Sequence, residues 1–499
     1  MTMTLVVASL VERSIAGVSR SSKKAYEAGA DLVEVRLDHL RLIDSSPGMI
    51  HEARGAVDGA AVATLRSTRE GGKSTLKGSS RRSMLEAVAD SGFEYVDLEL
   101  ARDAALLEEL GSSRGGPRAI ASYHFSRPAT KALVRQRLEK GLASGAIAKV
   151  AMPCENAAQS VMLAELAGEV SVSRRSFVLI GMGAQGQLTR VCASGMRSEL
   201  VYACLPGNEA APGQLDVRTQ VNISKPGSVI LGLIGHPVSH SVSKPMQEAA
   251  LRSVGLTGIY LPLDIPPERF NRRLVATLFN IGFQGLNVTI PNKQRAYRSC
   301  DIRNPSAEAT AAVNTIHMRR GKIVGENTDL KGFNQLITLK KVQLKNARIL
   351  VVGAGGAARA VCKVCNDGGA EIVISARRAK AASDLSKACG ASRTPYSSLG
   401  AIQSMFDVMV NTTPIGTKGT KVELSSLPEE AIKHSRVFID LVYNPSTTPS
   451  MAAARKHGRA AHGGLEMLVR QGEEAFRIWT DKTPDVSKMR RAARKALEP

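Results

Sequence analysis

Aromatic residues are scarce in this 499-residue chain, which is 4% aromatic and has a single tryptophan. Its seven cysteines are an odd number without regular spacing, which argues against a disulfide framework and indicates a reducing compartment. No uncharged stretch reaches membrane-spanning length, and no basic region precedes the short apolar run at the start. We therefore expect a cytoplasmic protein with no membrane partner.

The composition is otherwise that of globular domains, with 43% hydrophobic residues, and the length predicts at least two domains. Basic residues outnumber acidic ones by 67 to 45, a formal charge of +22. Residues 1–225 hold 28 basic and 24 acidic side chains, whereas residues 226–499 hold 39 and 21. This asymmetry and a polar stretch with Pro226 and Gly227 predict a domain boundary near residue 225.

The first half alternates short apolar runs with longer helix-compatible segments, a pattern typical of parallel βα units. Eight runs occur, at residues 5–10, 31–38, 60–67, 93–100, 118–125, 147–153, 175–183 and 198–205. Nearly continuous hydrophobicity indicates strands that are buried on both faces. We predict an α/β fold with a (β/α)8 barrel over residues 1–222, and an open doubly wound sheet is the alternative.

Charged residues fall near the ends of these runs, where barrel enzymes place their catalytic groups. Lys149, in AKVAMP, would be desolvated among apolar neighbours and is suited to Schiff-base chemistry with a carbonyl substrate. His124 is a candidate general base, with Glu99 on the preceding strand orienting its imidazole. Further arginines would bind a carboxylate or an oxygen-rich substrate, namely Arg36, Arg66 and Arg190.

These residues lie in motifs that resemble type I 3-dehydroquinate dehydratase over about residues 1–220. The motifs are EVRLD at 34–38, TLRSTREGG at 64–72, DLEL at 97–100, SYH at 122–124, KVAMP at 149–153, the segment 182–190 and APGQ at 211–214. The resemblance implies that Lys149 forms an imine, that His124 moves the C2 proton and that Glu99 orients His124. It implies substrate contacts from Glu34, Arg36, Arg66, Arg190 and Gln214, and no metal or organic cofactor in this half.

The segment RILVVGAGGAARAVCKVC at 348–365 predicts a strand, a glycine turn and a helix that binds a dinucleotide pyrophosphate. Gly353, Gly355 and Ala358 have the G-x-G-x-x-A spacing. The next predicted strand ends in Arg377 and Arg378 rather than an acidic residue, which favours the 2′-phosphate of NADP. We predict a Rossmann-type NADP lobe over residues 346–468.

Seven further segments, together with the GAGGAA turn, resemble shikimate dehydrogenase over about 230–485: GHPVSHSVSKP, LNVTIPNK, AVNTIH, ENTDLKG, NTTPIG, DLVYNP and GGLEMLVRQ. The resemblance implies a substrate lobe at 228–335, completed by about 470–499, with Lys293 and Asp329 as the catalytic pair. It implies that shikimate contacts Ser241, Ser243, Thr289, Asn314, Tyr443 and Gln471. It places the cofactor against Gly353, Ala354, Gly355, Gly356, Ala357, Arg377, Arg378, Gly464 and Met467.

The two resemblances imply consecutive reactions, in which dehydration of 3-dehydroquinate gives the 3-dehydroshikimate that NADPH then reduces to shikimate. One alternative is a quinate or shikimate dehydrogenase that uses NAD. Another is a non-catalytic binding or regulatory protein on the same folds. It is motivated by Ala210, which replaces a serine of the first family, by Lys244, which intervenes between Ser243 and Pro245 where the second family has proline directly after the serine, and by the altered loop after His124. The expected partners are small-molecule substrates.

Two remaining features receive structural interpretations. The run VSKMRRAARKALEP at the C-terminus predicts a basic helix, and because no aromatic stacking residues accompany it, we expect a solvated surface rather than a nucleic-acid contact. Cys362 and Cys365 have Cys-x-x-Cys spacing without a thioredoxin-like setting, so we expect them to be packing residues.

Overall fold

The computed structural model describes residues 4–41, 48–112, 116–173, 175–238 and 241–498. The chain divides into two compact units. The first contains Met1–Ile230 and Thr277–Gly282, and the second contains Leu231–Ala276 and Phe283–Pro499. Within the described residues, no helix is both long and apolar enough to cross a membrane.

Eight parallel strands form the sheet of the first unit: β1 (Leu5–Leu10), β2 (Leu32–Arg36), β3 (Ala61–Thr64), β4 (Tyr95–Glu99), β5 (Arg118–His124), β6 (Ile147–Pro153), β7 (Phe177–Met182) and β8 (Leu200–Cys204). Their order is β7-β6-β5-β4-β3-β2-β1-β8. The N–H of Glu199, just before β8, donates to the carbonyl of Phe177 on β7 at 2.9 Å and joins the two ends. The predicted barrel architecture is confirmed.

The helices of this unit are α1 (Ile15–Glu27), α2 (Gly48–Gly55), α3 (Gly78–Asp90), α4 (Ala104–Ser112), α5 (Lys131–Ala143), α6 (Ala157–Val170), α7 (Gln187–Val191) and α8 (Val217–Ser224). Side chains cap the first turns of α1, α5, α6 and α8, where Ser14, Thr130, Asn156 and Asp216 accept from backbone N–H groups. These caps satisfy donors that have no partner within the helix and fix where each helix begins.

Strand alternation places the polar side chains of the barrel. On β4, Val96 and Leu98 pack in the apolar cluster shared with the helices, whereas Tyr95 belongs to the cluster inside the barrel. Because side chains alternate along a strand, Asp97 and Glu99 lie on the same face as Tyr95. The carboxyl end of β4 therefore directs two carboxylates toward the barrel interior.

The second unit has two six-stranded sheets. The first is built from β9 (Val229–Gly235), β10 (Gly258–Asp264), β11 (Phe283–Val288), β12 (Ile302–Arg303), β13 (Thr315–Arg319) and β14 (Lys322–Glu326), and the second from β15 (Arg348–Val352), β16 (Glu371–Ser375), β17 (Ser392–Arg393), β18 (Phe406–Asn411), β19 (Ser435–Asp440) and β20 (Ala460–Gly463). The second sheet is parallel, in the order β17-β16-β15-β18-β19-β20. Its strand order reverses between β15 and β18, where such sheets bind ligands at their carboxyl edge.

The remaining helices are α9 (Ser243–Ser253), α10 (Arg272–Asn280), α11 (Lys293–Ser299), α12 (Pro305–Thr310), α13 (Asp329–Leu339), α14 (Gly356–Asp367), α15 (Ala379–Cys389), α16 (Glu429–Lys433), α17 (Pro449–Lys456), α18 (Leu465–Thr480) and α19 (Val486–Lys495). All belong to the second unit except the last four residues of α10, which are assigned to the first. Helix α18 packs against α13, and α19 packs against α9. The basic C-terminal run forms α19, in which Met489 and Ala493 are buried and Arg491 and Arg494 are exposed.

Candidate active sites

Lys149 lies on β6 with a side chain that is almost completely buried, at 3% exposure. Its Nζ donates to Oδ2 of Asp97 at 2.9 Å and lies 4.0 Å from Oε1 of Glu34. The ammonium also lies 3.9 Å from the centre of the Tyr202 ring. The amine is thus desolvated, as expected from its strand, but carboxylates face it where the sequence suggested only apolar neighbours.

Glu34 is held on β2 by hydroxyl groups from both neighbouring strands. Its oxygens accept from Oγ of Ser9 at 2.7 Å and from Oγ1 of Thr64 at 2.8 Å. Gln214 is connected to Glu34 through Ser9, because the Gln214 amide donates to Oγ of Ser9 at 3.2 Å. The structure therefore brings Glu34 and Gln214, both predicted from the sequence, to the same side of Lys149.

Arg66 connects this cluster to the next strand. Its guanidinium donates to Oδ1 of Asp97 and to Oγ of Ser122, both at 2.8 Å, and to Oε2 of Glu70 at 3.3 Å. Burial by itself would raise the pKa of Asp97, but Arg66 and Lys149 hold it well below its ordinary value. Asp97 is therefore a charged partner of Lys149.

His124 contacts Glu70. The His124 Nδ1 lies 2.9 Å from Oε2 of Glu70, which also accepts from the His124 backbone N–H at 3.1 Å. Glu99 instead accepts from the backbone N–H and hydroxyl of Ser67 at 2.7 and 2.8 Å. The structure does not support the predicted role of Glu99, because both oxygens of that carboxylate are used in the loop that begins at Ser67.

The pKa values of Glu70 and His124 differ from those of the free side chains. Burial raises the pKa of Glu70 from 4.5 to about 7, although the charge of Arg66 acts in the opposite direction. Burial, together with the charges of Arg66 and Lys149, lowers the pKa of His124 well below 6.5. The imidazole is therefore neutral near pH 7 and can accept a proton.

The two remaining predicted arginines have opposite surroundings. Arg36 forms a bidentate ion pair with Asp38 at 2.9 and 2.8 Å. Arg190, 2% exposed, donates to the carbonyl of Gly181, and within the described part of the chain it forms no ion pair. Its Nε has no hydrogen-bond partner there, and burial lowers its pKa to about 10. A buried cation without a carboxylate partner is suited to binding an anionic ligand.

A cavity of about 320 Å³ lies within the second unit. Its lining includes most of the residues predicted for this half: Ser241, Ser243, Thr289, Lys293, Asn314, Asp329, Gly355, Gly356, Ala357, Tyr443, Gly464, Met467 and Gln471. The cavity is therefore bounded both by residues predicted to bind substrate and by residues predicted to bind the cofactor.

Lys293 and Asp329 form an ion pair on the cavity wall through Nζ and Oδ2. Lys293 is the first residue of α11, and Asp329 is the first residue of α13. Oδ1 of Asp329 accepts from the Asn314 amide at 2.8 Å, and the same amide lies 3.3 Å from Oε1 of Gln471. Four predicted site residues thus form one connected network.

Hydroxyl groups lie on another part of the wall. The Ser241 hydroxyl donates to Oγ of Ser243 at 3.0 Å. Burial raises the pKa of Tyr443, and its hydrogen bond to Ser241 acts in the opposite direction. The phenol therefore remains protonated at neutral pH and can donate to a carboxylate or hydroxyl of a ligand.

The glycine turn connects β15 to α14. Gly353 has φ +123°, and a Cβ there would lie 2.2 Å from Oγ1 of Thr412. At Gly355, the N-cap of α14, a Cβ would meet no atom within 4 Å. The helix N-terminus is therefore open to an incoming phosphate, with Ala354 in the same turn. This geometry fits a dinucleotide pyrophosphate.

Arg377 and Arg378 follow β16 and are both exposed. They do not line the cavity, and Arg378 is the N-cap residue of α15. Exposed cations just beyond the second strand of such a sheet suit a phosphate on the adenosine ribose.

The sequence interpretation missed Glu70 and Asp97 as site residues. Both lie in motifs that were recognised, TLRSTREGG and DLEL. Asp97 lies two residues before Glu99 on β4, so the two side chains face the same way. This alternation could have identified Asp97 as a site residue. Glu70 lies in a loop after β3, where strand periodicity carries no information.

Comparisons with known proteins agree with this division of the chain. Residues 6–224 match type I 3-dehydroquinase, and residues 233–316 match the substrate binding domain of shikimate dehydrogenase. Residues 336–456 match shikimate/quinate 5-dehydrogenase, and residues 464–494 match the C-terminal domain of shikimate 5′-dehydrogenase.

Individual relatives cover either the whole chain or its second half. The chain is 29% identical over 510 residues to a chloroplastic bifunctional 3-dehydroquinate dehydratase/shikimate dehydrogenase of Arabidopsis thaliana, covering 96% of this chain and 82% of the relative. It is 38% identical over 271 residues to an NADP(+) shikimate dehydrogenase of Archaeoglobus fulgidus, covering 54% of this chain and 98% of the relative. A crystal structure of shikimate dehydrogenase in complex with NADP+ superposes with a TM-score of 0.50 at 31% identity, covering 55% of this chain and 96% of that one.

The fold and the two sites define a fusion of a (β/α)8-barrel enzyme with a two-lobed, dinucleotide-dependent dehydrogenase. The chain belongs to the bifunctional 3-dehydroquinate dehydratase/shikimate dehydrogenases, with a type I 3-dehydroquinase in its first unit and a member of the shikimate dehydrogenase family in its second.

Proposed function

We propose that the first unit dehydrates 3-dehydroquinate to 3-dehydroshikimate through an imine on Lys149, and that the second unit reduces this product to shikimate at Lys293 and Asp329. The observation that carries the barrel assignment is the setting of Lys149, a buried amine with Asp97 at 2.9 Å. The family membership of both units supplies the reactions.

In the barrel, the Lys149 ammonium gives up a proton, and the resulting neutral amine attacks the ketone of the substrate. The carbonyl oxygen takes up that proton and a second proton from the amine nitrogen and leaves as water, which gives a protonated imine. The iminium has the same charge as the ammonium that it replaces, so the Asp97 carboxylate stabilises it in the same way. Removal of the C2 proton then sends electrons toward the iminium nitrogen. Departure of the C1 hydroxyl as water and hydrolysis of the imine release the product and restore Lys149.

His124 is the proposed base for the C2 proton, because its lowered pKa keeps it neutral before the reaction. The imidazolium that forms is paired with Glu70 and is the acid that protonates the departing hydroxyl. Arg190 binds the substrate carboxylate, which supplies the anion that the buried guanidinium lacks in the described residues. Arg36, Arg66, Glu34 and Gln214 complete the polar wall that receives the substrate hydroxyls.

In the second unit, the cofactor is NADP, which when bound in reduced form supplies the hydride. The turn from Gly353 to Ala357 would hold its pyrophosphate, Arg377 and Arg378 the 2′-phosphate, and Gly464 and Met467 the nicotinamide end. Lys293 donates a proton to the reduced carbonyl oxygen, and Asp329 keeps the ammonium oriented. Ser241, Ser243, Thr289, Asn314, Tyr443 and Gln471 would position the carboxylate and hydroxyls of shikimate.

We also propose a reducing cytoplasmic setting and small-molecule ligands as the partners. The odd number of cysteines without regular spacing supports the reducing setting.

Borohydride trapping tests the barrel assignment. Borohydride added with 3-dehydroquinate should reduce the imine and leave a stable adduct on the peptide that contains Lys149, while the Lys149→Met variant should remain unlabelled. Label on a different lysine, or none on the native chain, would contradict the assignment.

The Lys293→Ala variant tests the dehydrogenase. It should abolish NADP-linked oxidation of shikimate and leave the dehydration rate unchanged, because Lys293 lies in the second unit. Retention of shikimate oxidation would reject its catalytic role, and parallel loss of both activities would indicate a folding defect.

A further inference from the structure

Cys389 is the only one of the seven cysteines that is not buried. It is the last residue of α15, and its thiol donates to the carbonyl of Leu385 at 3.0 Å. The NADP lobe therefore contains one thiol that is partly accessible to solvent, as a redox thiol must be.

A second thiol lies beside it. Cys362 is in the middle of α14, is 1% exposed, and shares a hydrogen bond with the Cys389 thiol. Both side chains pack in the same apolar cluster under the second sheet. Because the two thiols interact and their helices pack against each other, a small approach would allow a disulfide that joins two different helices.

The surroundings of Cys389 favour the ionised form of its half-buried thiol. Arg359 lies three residues before Cys362 on α14, and its Nε is buried without a hydrogen-bond partner among the described residues. The hydrogen bond from Cys362 lowers the pKa of Cys389, burial opposes this effect, and the Arg359 charge reinforces it. The thiolate is the nucleophile in exchange with disulfides.

We propose that Cys389 and Cys362 form a thiol–disulfide exchange site whose substrate is a low-molecular-weight disulfide. The Cys389 thiolate attacks one sulfur of the small disulfide, which releases one thiolate and leaves a mixed disulfide on Cys389. Cys362 loses its proton, attacks the Cys389 sulfur and releases the second thiolate. The two protein thiols are oxidised by two electrons, and the small disulfide is reduced to two thiols.

The pairing differs from the Cys362–Cys365 pairing that the Cys-x-x-Cys spacing suggests. Cys365 is fully buried, and burial raises its pKa to about 12. Neither exposure nor a neighbouring cation activates it. Cys365→Ser is therefore the matched control on the same helix.

The experiment uses the full-length chain and glutathione disulfide, followed by alkylation of the remaining thiols and peptide mass spectrometry. We expect one disulfide joining the peptides that contain Cys362 and Cys389. Cys365→Ser should react in the same way, Cys362→Ser should stop at a glutathionylated Cys389, and Cys389→Ser should form neither product.

Three results would overturn the proposal: a Cys362–Cys365 bond, unchanged oxidation in Cys389→Ser, or a Cys389 that stays reduced at excess glutathione disulfide. Dehydrogenase activity of each reduced variant shows that it is folded, so an unreactive variant is not mistaken for an unfolded one.

Discussion

Nδ1 of His124 lies 2.9 Å from a carboxylate oxygen of Glu70, on the loop after β3. Glu99, at the end of β4, instead accepts two hydrogen bonds from Ser67. The segment TLRSTREGG therefore contains both Arg66, which donates to Asp97, and Glu70, which contacts His124. The two glutamates consequently have separable effects on the reaction.

Glu70→Gln should lower kcat for dehydration by about 10-fold to 100-fold, because the imidazolium loses its anionic partner while the amide keeps the shape. Glu99→Gln should retain kcat within about 3-fold, because its contacts support a loop rather than the proton-transfer group. Steady-state formation of 3-dehydroshikimate measures both variants. A larger loss in Glu99→Gln would return the orienting role to Glu99.

The raised pKa of Glu70 predicts a pH dependence of stability. Its folded pKa of about 7 exceeds the ordinary 4.5, so its stabilising contribution is complete below about pH 4.5 and is lost as the pH rises to about 7. The shift corresponds to roughly 3 kcal/mol. Thermal unfolding at about pH 5 and about pH 8 should show Glu70→Gln gaining stability relative to the native chain at the higher pH. A difference that does not vary with pH would contradict this prediction.

Arg190→Met should stabilise the folded barrel and impair catalysis. Burial lowers the pKa of Arg190 to about 10, so the fold disfavours the cation, and stability is lost as the pH falls through this value and remains lost at pH 7. We expect unfolding a few degrees higher and kcat/KM for 3-dehydroquinate about 100-fold lower. Thermal denaturation and steady-state kinetics measure the two effects.

Arg36→Met is the matched control for Arg190→Met, because removal of Arg36 takes away the bidentate cationic partner of the buried Asp38 carboxylate. We expect this variant to lose about 3–5 kcal/mol of stability. Destabilisation by Arg190→Met of similar size would show that Arg190 has an anionic partner in the free protein.

Gly353→Ala and Gly355→Ala should affect the dehydrogenase differently. A Cβ at Gly353 meets Thr412 at 2.2 Å on a backbone with φ +123°, so Gly353→Ala should lower the melting temperature of the second unit. A Cβ at position 355 meets no protein atom, so the Gly355→Ala variant should fold normally. It should raise KM for NADPH, because the added methyl group narrows the space through which the pyrophosphate approaches the N-terminus of α14. Calorimetry and initial rates separate the two outcomes, and equal melting temperatures would contradict the steric argument.

Arg377→Ala and Arg378→Ala should each raise KM for NADP by about 10-fold to 100-fold, the size expected for loss of a charge-assisted hydrogen bond. KM for NAD should change little, because NAD has no 2′-phosphate. Arg436→Ala, an exposed arginine on β19, is the control and should leave both values unchanged. A native kcat/KM that is higher for NAD than for NADP would reject the phosphate assignment and favour the quinate alternative.

The sequence was informative where residues are constrained by periodicity or by backbone geometry. Apolar strands predicted the barrel, and Gly353 and Gly355 indicated the turn before α14. The position of Lys149 and Glu34 in predicted strands also indicated one shared site, and the structure places the Lys149 ammonium 4.0 Å from the Glu34 carboxylate.

The sequence was less informative where a contact depends on a loop. Glu70 contacts His124 only because the chain turns back after β3. Hydrophobic periodicity predicts strands and helices but not the course of such a loop. The pairing of Cys362 with Cys389 likewise depends on how two helices pack. By contrast, the Cys-x-x-Cys spacing directed attention to Cys365, which is one helical turn away.

The glycine turn has a further consequence beyond phosphate binding. A Cβ on Gly356 would lie 3.0 Å from Cδ of Lys293, so the absence of a side chain there preserves the position of the lysine. Lys293, the proposed proton donor at the start of α11, therefore constrains which residue can occupy position 356 in the nucleotide-binding turn. A nucleotide lobe transplanted from a relative with a larger residue at this position would displace that lysine, so the two lobes are expected to change together during evolution rather than independently.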